Sequence, residues 1–262
     1  MDSESPRPQD PTADLQRVRD FYDSDAIVAR FLSPTCFDRL VWHTQFTLRD
    51  SRGRTVDETT FLIEWSDLPS TGRVLDFGCG AGALCLTLAA RGLEVHGTNI
   101  SARQIEIARN EAHAIGRSGV SFEICDGRTI PYPDAWFDGV LFQESMCHVP
   151  DKAAMFRELH RVLKPGGVMA GQDWFAGASA SPRGLDVAPI DRTYQTFLEP
   201  AAQYVALARA LFTEVQAIDC QELPECTALM RFSGVFWQRI VTGCFTVGFI
   251  RGRKAIDPTA SA

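Results

Sequence analysis

The positions of hydrophobic residues divide the chain into a tail, a helical segment and an alternating α/β segment. Residues 1–14 are rich in proline and acidic residues and predict a disordered tail. Across 15–32, apolar and aromatic residues recur at helical spacing and predict one or two helices. The polar stretch 49–54 predicts a loop, and 61–65 predicts a further short helix. We therefore interpret residues 15–70 as an N-terminal helical cover that precedes the main domain.

From residue 71 onward, short apolar strands alternate with helices. The predicted strands are 73–77, 93–98, 120–125, 137–143, 168–174, 214–219 and 245–250. The predicted helices are 82–90, 101–114 and 152–163, with further helical patterns at 191–211 and 228–241. This alternation implies right-handed crossovers and parallel strands, and the last two strands fit a closing hairpin. The predicted fold class is α/β: a Rossmann-like, seven-stranded, mainly parallel sheet with an antiparallel edge strand and the N-terminal helical cover.

Composition narrows the possible partners and the compartment. The net charge of -7 argues against nucleic acid or an anionic membrane surface as the main partner. No apolar run approaches the ~18 residues that a membrane span needs. The eight cysteines form no CxxC pair, so a structural zinc site is not expected. With no signal peptide recognised, this cysteine usage predicts a cytoplasmic protein.

A glycine-rich loop, VLDFGCGAG at 74–82, joins the first predicted strand of the main domain to its helix. Glycine permits a tight turn and the close approach of a ligand, and the following helix presents free N–H groups. Gly78, Gly80 and Ala83 also match GxGxxA, the dinucleotide fingerprint of NAD-dependent oxidoreductases. That interpretation expects an acidic residue at the end of the second strand, where Asn99 stands. A purely structural turn beside Asp76 is the third interpretation.

Four runs between residues 73 and 175 resemble the class I S-adenosylmethionine-dependent methyltransferases in their order and spacing. The runs are VLDFGCGAG at 74–82, VHGTNISARQ at 95–104, CDGRTIPYPDAWFD at 125–138 and LHRVLKPGG at 159–167. The resemblance implies S-adenosyl-L-methionine as the cofactor and a cofactor-binding methyltransferase domain over 71–262. It also implies a substrate-capping insertion around 175–212.

The resemblance assigns cofactor-binding roles to individual residues. Gly78 and Gly80 would approach the methionine part of the cofactor, with Asp76 nearby. Asp126 and Gly127 match the position that contacts adenine. The predicted cofactor-binding residues are Asp76, Gly78, Cys79, Gly80, Asn99, Ile100, Gln104, Asp126, Gly127 and Gln143.

Asn99 departs from the family pattern, because this position usually holds an acidic residue that binds both ribose hydroxyls. An asparagine amide can still accept one hydrogen bond and donate another. Gln104 is placed either to reach the cofactor or to complete a helix capping box with Ser101. Both interpretations of Gln104 stay open at this point.

Two further features resemble the sterol, tocopherol, prenyl-diphosphate and terpenoid C-methyltransferases. One is the pair of runs NISARQ at 99–104 and FQESMCHVPD at 142–151. The other is Phe21-Tyr22-Asp23, which resembles the aromatic start of such enzymes, where a helix covers the active site. The resemblance implies C-methylation of a terpenoid or prenylated, indole-type natural product through a carbocation. N- or O-methylation of a small secondary metabolite is the alternative.

The chemistry of methyl transfer indicates which residues are candidates for catalysis. A sulfonium is already a strong methyl donor, so the protein mainly aligns the nucleophile and excludes water. An oxygen or nitrogen nucleophile needs a base, and His148 is the candidate. An alkene attacks without a base and leaves a carbocation, which Glu144 and aromatic faces would stabilise. Tyr22 on the cover helix is the third predicted catalytic residue.

His43, Trp174 and Phe175 are the predicted substrate-pocket residues. We predict no metal site, although Asp173 and Glu144 could bind Mg²⁺ for a diphosphate substrate. No Asn-Pro-Pro-aromatic run follows the fourth strand, which argues against DNA methylation. A small-molecule substrate is therefore the expected partner.

Two other expectations remain open. An exposed aromatic N-terminal helix would allow a homo-oligomer. A non-catalytic binding subunit on the same fold, suggested by Asn99, is the alternative from another functional class.

Overall fold

A computed structural model of the chain describes residues 10–32, 47–177, 195–220 and 245–256. Its helices are α1 (Pro11–Tyr22), α2 (Asp25–Leu32), α3 (Glu58–Trp65), α4 (Ala83–Ala90), α5 (Ala102–Ala114), α6 (Lys152–Val162) and α7 (Ala201–Arg209). Its strands are β1 (Thr47–Arg49), β2 (Thr55–Asp57), β3 (Arg73–Phe77), β4 (Glu94–Asn99), β5 (Val120–Ile124), β6 (Phe137–Gln143), β7 (Leu163–Ala176), β8 (Thr213–Asp219) and β9 (Phe245–Arg253). A short 3-10 turn, Met146–His148, separates β6 from α6.

The main sheet has seven strands in the order β5-β4-β3-β6-β7-β9-β8, which confirms the predicted fold class. Neighbours from β5 to β7 are parallel, whereas β9 is antiparallel to both β7 and β8. The antiparallel pairing thus lies at this edge of the sheet, with β8 outermost. Strand order reverses between β3 and β6, and the carboxyl ends of strands at such a point form the ligand crevice of open α/β sheets.

The sheet is covered on both faces, so its central strands are buried over most of their length. Along β7, Ala170 and Trp174 belong to one apolar cluster, whereas Met169 and Phe175 belong to the other. Side chains that differ by one position point to opposite faces of a strand. A strand covered on both faces reads as a continuous apolar run, which is why the sequence predicted β6 at its observed bounds.

Helix α1 begins four residues earlier than predicted. The Asp10 side chain accepts hydrogen bonds from the N–H groups of Thr12 (3.0 Å) and Ala13 (3.3 Å). Proline follows at the first helical position, where its fixed φ suits a helix start. Residues 11–14 are therefore helical and not part of a disordered tail, while 1–9 lie outside the described residues.

Two other segments differ from the prediction. Strands β1 and β2 form a small antiparallel hairpin, in which the Asp50 carboxylate accepts the N–H groups of Arg52 and Arg54. Three-residue strands are too short to give a periodic signal. Of the predicted helix 191–211, residues 201–209 are helical and 195–200 are not, while 191–194 lie outside the described residues. The helical pattern at 228–241 lies outside the described residues, and the capping insertion stays a prediction.

Candidate active site

A cavity of about 360 Å³ lies at the carboxyl ends of β3, β4 and β6. Helix α1 forms its roof with Leu15, Val18, Phe21 and Tyr22. Leu15 and Val18 also form a small buried cluster with Ile100 at the end of β4. The apolar side of α1 therefore faces its own chain, which removes the exposed aromatic helix on which the expectation of a homo-oligomer rested.

The cavity gathers residues from most of the predicted site. Every predicted cofactor-binding residue lines it, as do the three predicted catalytic residues and Trp174. These residues are Asp76, Gly78, Cys79, Gly80, Asn99, Ile100, Gln104, Asp126, Gly127, Gln143, Glu144, His148, Tyr22 and Trp174. We call the part around Gly78 and Asn99 the glycine-loop end, and the part around Tyr22 and His148 the histidine end.

Gly78 shapes the glycine-loop end by leaving room for a neighbouring turn. Its φ is +75°, and a Cβ added there would lie 2.2 Å from the Cβ of Ser145. The N–H groups of Gly78 and Cys79 both donate to the carbonyl of Thr98, at 2.8 and 2.9 Å. This pairing fastens the loop after β3 to the end of β4. A side chain at position 78 would therefore push the loop and the 145 turn apart.

Asp76 is buried beneath this loop. It accepts a hydrogen bond from the Cys85 thiol, with an Sγ–Oδ2 distance of 3.1 Å. Burial, with Asp76 nearby, raises the pKa of the Cys85 thiol well above its usual value. The thiol therefore stays protonated and donates, which keeps the carboxylate in place beside the cavity.

Asn99 and Gln104 form an amide pair at the glycine-loop end. The Asn99 Nδ2 donates to Gln104 Oε1 at 2.5 Å, and Asn99 Oδ1 accepts the Ile100 N–H at 2.8 Å. Half of the predicted capping box is present, because the Ser101 hydroxyl accepts the Gln104 N–H. The Gln104 side chain pairs with Asn99 instead of completing the box.

Two buried amide donors in the cavity wall fit a ligand rich in acceptor oxygens. Gln104 Nε2 and Gln143 Nε2 have no hydrogen-bond partner among the described residues. A buried donor without a partner is costly, so such groups usually meet a ligand or water. The ribose and carboxylate oxygens of S-adenosylmethionine would satisfy both donors. The residues present therefore fit that cofactor.

Asp126 lies at the predicted adenine position and is held by Arg128. The guanidinium donates to the carboxylate through Nε (2.9 Å) and Nη2 (2.6 Å). Burial acts to raise the pKa of Asp126, but these hydrogen bonds outweigh it and lower the pKa below its usual value. Asp126 therefore stays ionised and can accept a further hydrogen bond.

Tyr22 and His148 meet at the histidine end although 126 residues separate them. The Tyr22 hydroxyl lies 2.7 Å from His148 Nε2, and His148 Nδ1 lies 3.1 Å from the carbonyl oxygen of Gln195. A carbonyl only accepts, so Nδ1 carries the proton and Nε2 accepts from Tyr22. Burial lowers the pKa of His148 to about 4 and raises that of Tyr22 well above its usual value. Both groups are therefore neutral near pH 7, with Nε2 able to take a proton.

Glu144 follows β6 in a backbone conformation that few residues other than glycine adopt. Its φ is 50°. Five non-glycine residues in the described part of the chain have a positive φ, and Gln195 is another of these five. The Gln172 amide donates to the Glu144 carboxylate at 3.3 Å. Left-handed backbone at non-glycine residues is typical of functional sites, where the surrounding structure compensates for its energy.

Asp173 supports the turn that carries His148. Its carboxylate accepts the N–H groups of Ser145 (3.2 Å), Met146 (2.7 Å) and Cys147 (3.3 Å). It also accepts the N–H group of Trp174 at 2.8 Å. Burial raises the pKa of Asp173 to about 6. Both oxygens are thus used within the protein, so this carboxylate does not face the cavity as a Mg²⁺ ligand.

Asp23 connects the elbow after α1 to the start of α5. Its carboxylate accepts the Ser101 hydroxyl at 2.5 Å and the Arg103 N–H at 3.3 Å. The Arg103 guanidinium donates to the Asp23 carbonyl at 2.8 Å. The Phe21-Tyr22-Asp23 run therefore holds the end of α1 against the start of α5 and places Tyr22 beside His148.

The predictions for the substrate pocket have different outcomes. Trp174 lines the cavity, but Phe175 does not: it points to the opposite face of the sheet, where its ring lies 4.8 Å from that of Tyr204. The prediction for Phe175 is wrong because adjacent residues of a strand alternate between faces. His43 lies outside the described residues.

Sequence reasoning missed the supporting roles of Asp173 and Gln195. Asp173 is an acidic residue inside a largely apolar strand, so its position was a usable signal, but its four backbone partners were not foreseeable. Gln195 acts through its backbone carbonyl, which leaves no mark in the sequence.

Within the described ranges, no group of three or more His, Cys, Asp or Glu side chains could hold a metal ion. None of the described helices is both long and apolar enough to cross a membrane.

Comparison with known proteins assigns the central part of the chain. Residues 75–171 match the family model described as Methyltransferase domain. The 27-O-demethylrifamycin SV methyltransferase of Amycolatopsis mediterranei is 37% identical over 142 residues, which cover 53% of this chain and 50% of that protein. The ajmaline N-methyltransferase of Rauvolfia serpentina is 34% identical over 179 residues, which cover 64% of this chain and 61% of that protein.

A solved structure has a similar fold. It is a geranyl diphosphate C-methyltransferase from Streptomyces coelicolor A3(2), in complex with Mg²⁺, geranyl-S-thiolodiphosphate and S-adenosyl-L-homocysteine. The TM-score is 0.76 at 17% identity, with 95% of this chain and 100% of that chain covered. The chain spans about half the length of the curated relatives it matches. Sequence match and fold together identify residues 75–171 as a class I methyltransferase domain and confirm the predicted resemblance.

Proposed function

We propose that this protein is an S-adenosylmethionine-dependent methyltransferase that acts on a small apolar molecule with an O–H or N–H group. The observation that carries the proposal is the neutral pair of Tyr22 and His148, joined at 2.7 Å in the wall of the cavity. The matched methyltransferase domain and the unsatisfied donors of Gln104 and Gln143 support the choice of cofactor. Relatives named for O- and N-methylation support the kind of acceptor.

The cofactor would occupy the glycine-loop end. When bound, S-adenosylmethionine supplies an electrophilic methyl group on a sulfonium. Gln104 and Gln143 would donate to its oxygens, and Gly78 and Gly80 line the cavity beside it. The roof residues Leu15 and Val18 exclude water from this part of the cavity.

The acceptor would occupy the histidine end, where His148 acts as the base. The Gln195 carbonyl fixes the Nδ1–H tautomer, so Nε2 faces Tyr22 and can receive a proton. A hydroxyl or amine group bound beside Tyr22 would pass its proton through the phenol to Nε2 as it takes the methyl group, because bonding to the methyl group makes that proton more acidic. Because the pKa of His148 is about 4, the base is unprotonated across the neutral range. The rate would fall only as the pH approaches that value.

A panel of acceptors tests this proposal. Purified protein is incubated with methyl-labelled S-adenosylmethionine and with matched phenols, alcohols, secondary amines and prenyl compounds. We expect label in a hydroxyl or amine acceptor, and an acid limb of kcat/KM well below pH 6. Exclusive labelling of an alkene carbon would contradict the proposal.

A second candidate function is C-methylation of a terpenoid or prenylated, indole-type natural product through a carbocation. Its support is the placement of Glu144 in a cavity wall that also holds Phe21, Tyr22 and Trp174. Aromatic faces and a carboxylate stabilise positive charge. The fold likeness to a geranyl diphosphate C-methyltransferase is compatible with this candidate.

Two single variants separate the candidates. If an O–H or N–H acceptor is methylated, His148→Gln should lower kcat far more than Glu144→Gln does. If a carbocation forms, Glu144→Gln should be the more damaging change. Neither substitution should alter the affinity for S-adenosylhomocysteine, which serves as the folding control.

A further inference from the structure

Lys152 is a buried cation in an unfavourable place. It is the first residue of α6, and the residue is only 3% exposed. Lysine is rarely buried so completely, and the N-terminus of a helix carries partial positive charge that disfavours a cation. Burial and the helix N-terminus both disfavour this cation, so we expect Lys152 to have a specific role.

The ammonium group of Lys152 joins two segments that hold His148. It donates a hydrogen bond to the carbonyl of Val149, in the turn that links His148 to α6. It also faces the rings of Phe197 and Tyr204, at 5.9 and 5.7 Å from their centroids. These distances suit cation–π attraction.

The segment that contains Phe197 also holds the histidine through its backbone. The Phe197 N–H donates to the Cys147 carbonyl at 2.7 Å, and the Gln195 carbonyl faces His148 Nδ1 at 3.1 Å. Lys152 therefore contacts both the turn that carries His148 and the segment that fixes the tautomer of His148, and it holds the two together.

Four ionisable groups share this buried region with Lys152: Glu144, Cys147, His148 and Asp173. For His148, burial is the main cause of the lowered pKa, and the charge of Lys152 acts in the same direction while Glu144 opposes it. Tyr22, from α1, is the other ionisable partner of His148 and is neutral. For Asp173, burial raises the pKa and Lys152 opposes that rise.

We infer that Lys152 is a positioning residue for His148: it fastens the turn that carries the histidine to the segment 195–204, and its charge disfavours a second cation beside it. The inference rests on the proposed role of His148 as the base. Lys152 does not line the cavity, so it acts through the histidine and not on the acceptor.

The test measures the titration of His148 without relying on turnover. Side-chain NMR spectra of histidine-labelled protein are recorded against pH for the wild type, Lys152→Met, Lys152→Arg and Lys164→Met. His148→Gln assigns the signal. Lys164 is a suitable control because it forms a half-exposed ion pair with Asp138 at 2.7 Å, outside the site.

We expect Lys152→Met to raise the pKa of His148 by roughly one unit, since a nearby like charge is removed. Lys152→Arg keeps the charge and should leave the pKa of His148 low. Lys164→Met should not change the pKa of His148. If Lys152→Met does not fold, Lys152→Gln replaces it as the neutral variant. An unchanged His148 titration in the folded neutral variant would overturn the inference.

The acid limb of kcat/KM, measured on the same variants, separates this inference from the proposed function. If the acid limb of kcat/KM shifts together with the NMR titration of His148, the inference about Lys152 and the role of His148 as the base are both supported. If the NMR titration moves and the limb does not, Lys152 still controls His148, but His148 is not the base.

Discussion

The two ends of the cavity are built in different ways. At the glycine-loop end, Asp76, Gly78 and Asn99 lie at the carboxyl ends of two neighbouring parallel strands, and local backbone hydrogen bonds to Thr98 hold the loop. At the histidine end, Tyr22, His148 and Gln195 come from three segments far apart in the chain. The first end depends on the sheet, whereas the second exists only when α1 and the segment 195–204 are both docked.

This difference predicts how substitutions at the two ends should behave. Changes at the glycine-loop end should act on cofactor affinity, because the loop shapes the space for the ligand. Changes at the histidine end should act on turnover and leave cofactor affinity intact. The predictions below test that separation.

The largest effect is expected for His148→Gln. Glutamine is neutral and of similar size, but it cannot take a proton at Nε2. We expect kcat to fall by roughly 10²- to 10⁴-fold, the usual contribution of a general base. S-adenosylhomocysteine affinity, measured by calorimetry, should match the wild type. A comparable loss of affinity would mean that the two ends are not separable.

Asp173→Asn should destabilise the turn that carries His148 at the histidine end. The amide cannot accept all four backbone N–H groups that the carboxylate accepts, so buried donors lose their partners. Each unsatisfied group costs about 1–3 kcal/mol, measurable as a lower free energy of unfolding in urea.

The same variant has a pH signature. Because burial raises the pKa of Asp173 from 3.8 to about 6, the folded protein binds more protons than the unfolded chain between these values. The stability contributed by this group is present at low pH and is lost as the pH rises through that window. The wild-type advantage over Asp173→Asn should therefore shrink from pH 4 to pH 6. An advantage that grows over this range would contradict the assignment.

Tyr22→Phe should give a smaller effect than His148→Gln. The ring keeps its edge contact with the imidazole, and only the hydroxyl that bonds Nε2 is lost. The phenol relay is lost, but a water in the place of the hydroxyl can still pass the proton to Nε2, so we expect only a roughly tenfold fall in kcat. Phe21→Leu, on the same helix, is the matched control. Equal effects of the two variants would show that Tyr22 acts by packing alone.

The smallest effect is expected for Asn99→Asp. A carboxylate at this position would let the Gln104 amide turn over and donate its unsatisfied Nε2. It would also offer the ribose hydroxyls a stronger acceptor. We expect S-adenosylhomocysteine to bind a few-fold more tightly, about 1 kcal/mol, with no change in kcat. Weaker binding would show that the amide pair itself is adapted to the ligand.

The sequence predicted the glycine-loop end more completely than the histidine end. The bounds of β3 and β6 follow from local apolar runs, and the cofactor residues from Asp76 to Gln143 follow from the resemblance to the methyltransferase family. Parallel strands then place these residues together at their carboxyl ends. The pairing of Tyr22 with His148 could not be derived, because no local signal links positions 126 apart. Phe175 was misassigned because the strand's face alternation was not applied to it.

The supporting residues were the hardest to predict. Asp173 and Lys152 are polar residues whose burial depends on partners from other segments. Helix α1 was placed too late because the Asp10 cap precedes the first apolar position. For Asp173 and Lys152 the missing information was tertiary, whereas for α1 it was a local capping signal.

The most direct test of the central claim is the affinity of the protein for S-adenosylhomocysteine, measured by calorimetry for the wild type and Gly78→Val. A Cβ at this position would lie 2.2 Å from the Cβ of Ser145, and φ is +75°, so the side chain should push the loop away from the Ser145 turn and deform the glycine-loop end. We predict binding to the wild type and a loss of at least roughly 100-fold, or about 2.7 kcal/mol, in Gly78→Val. Absence of binding to the folded wild type, or equal binding to both proteins, would contradict the assignment of this cavity to the methyl donor.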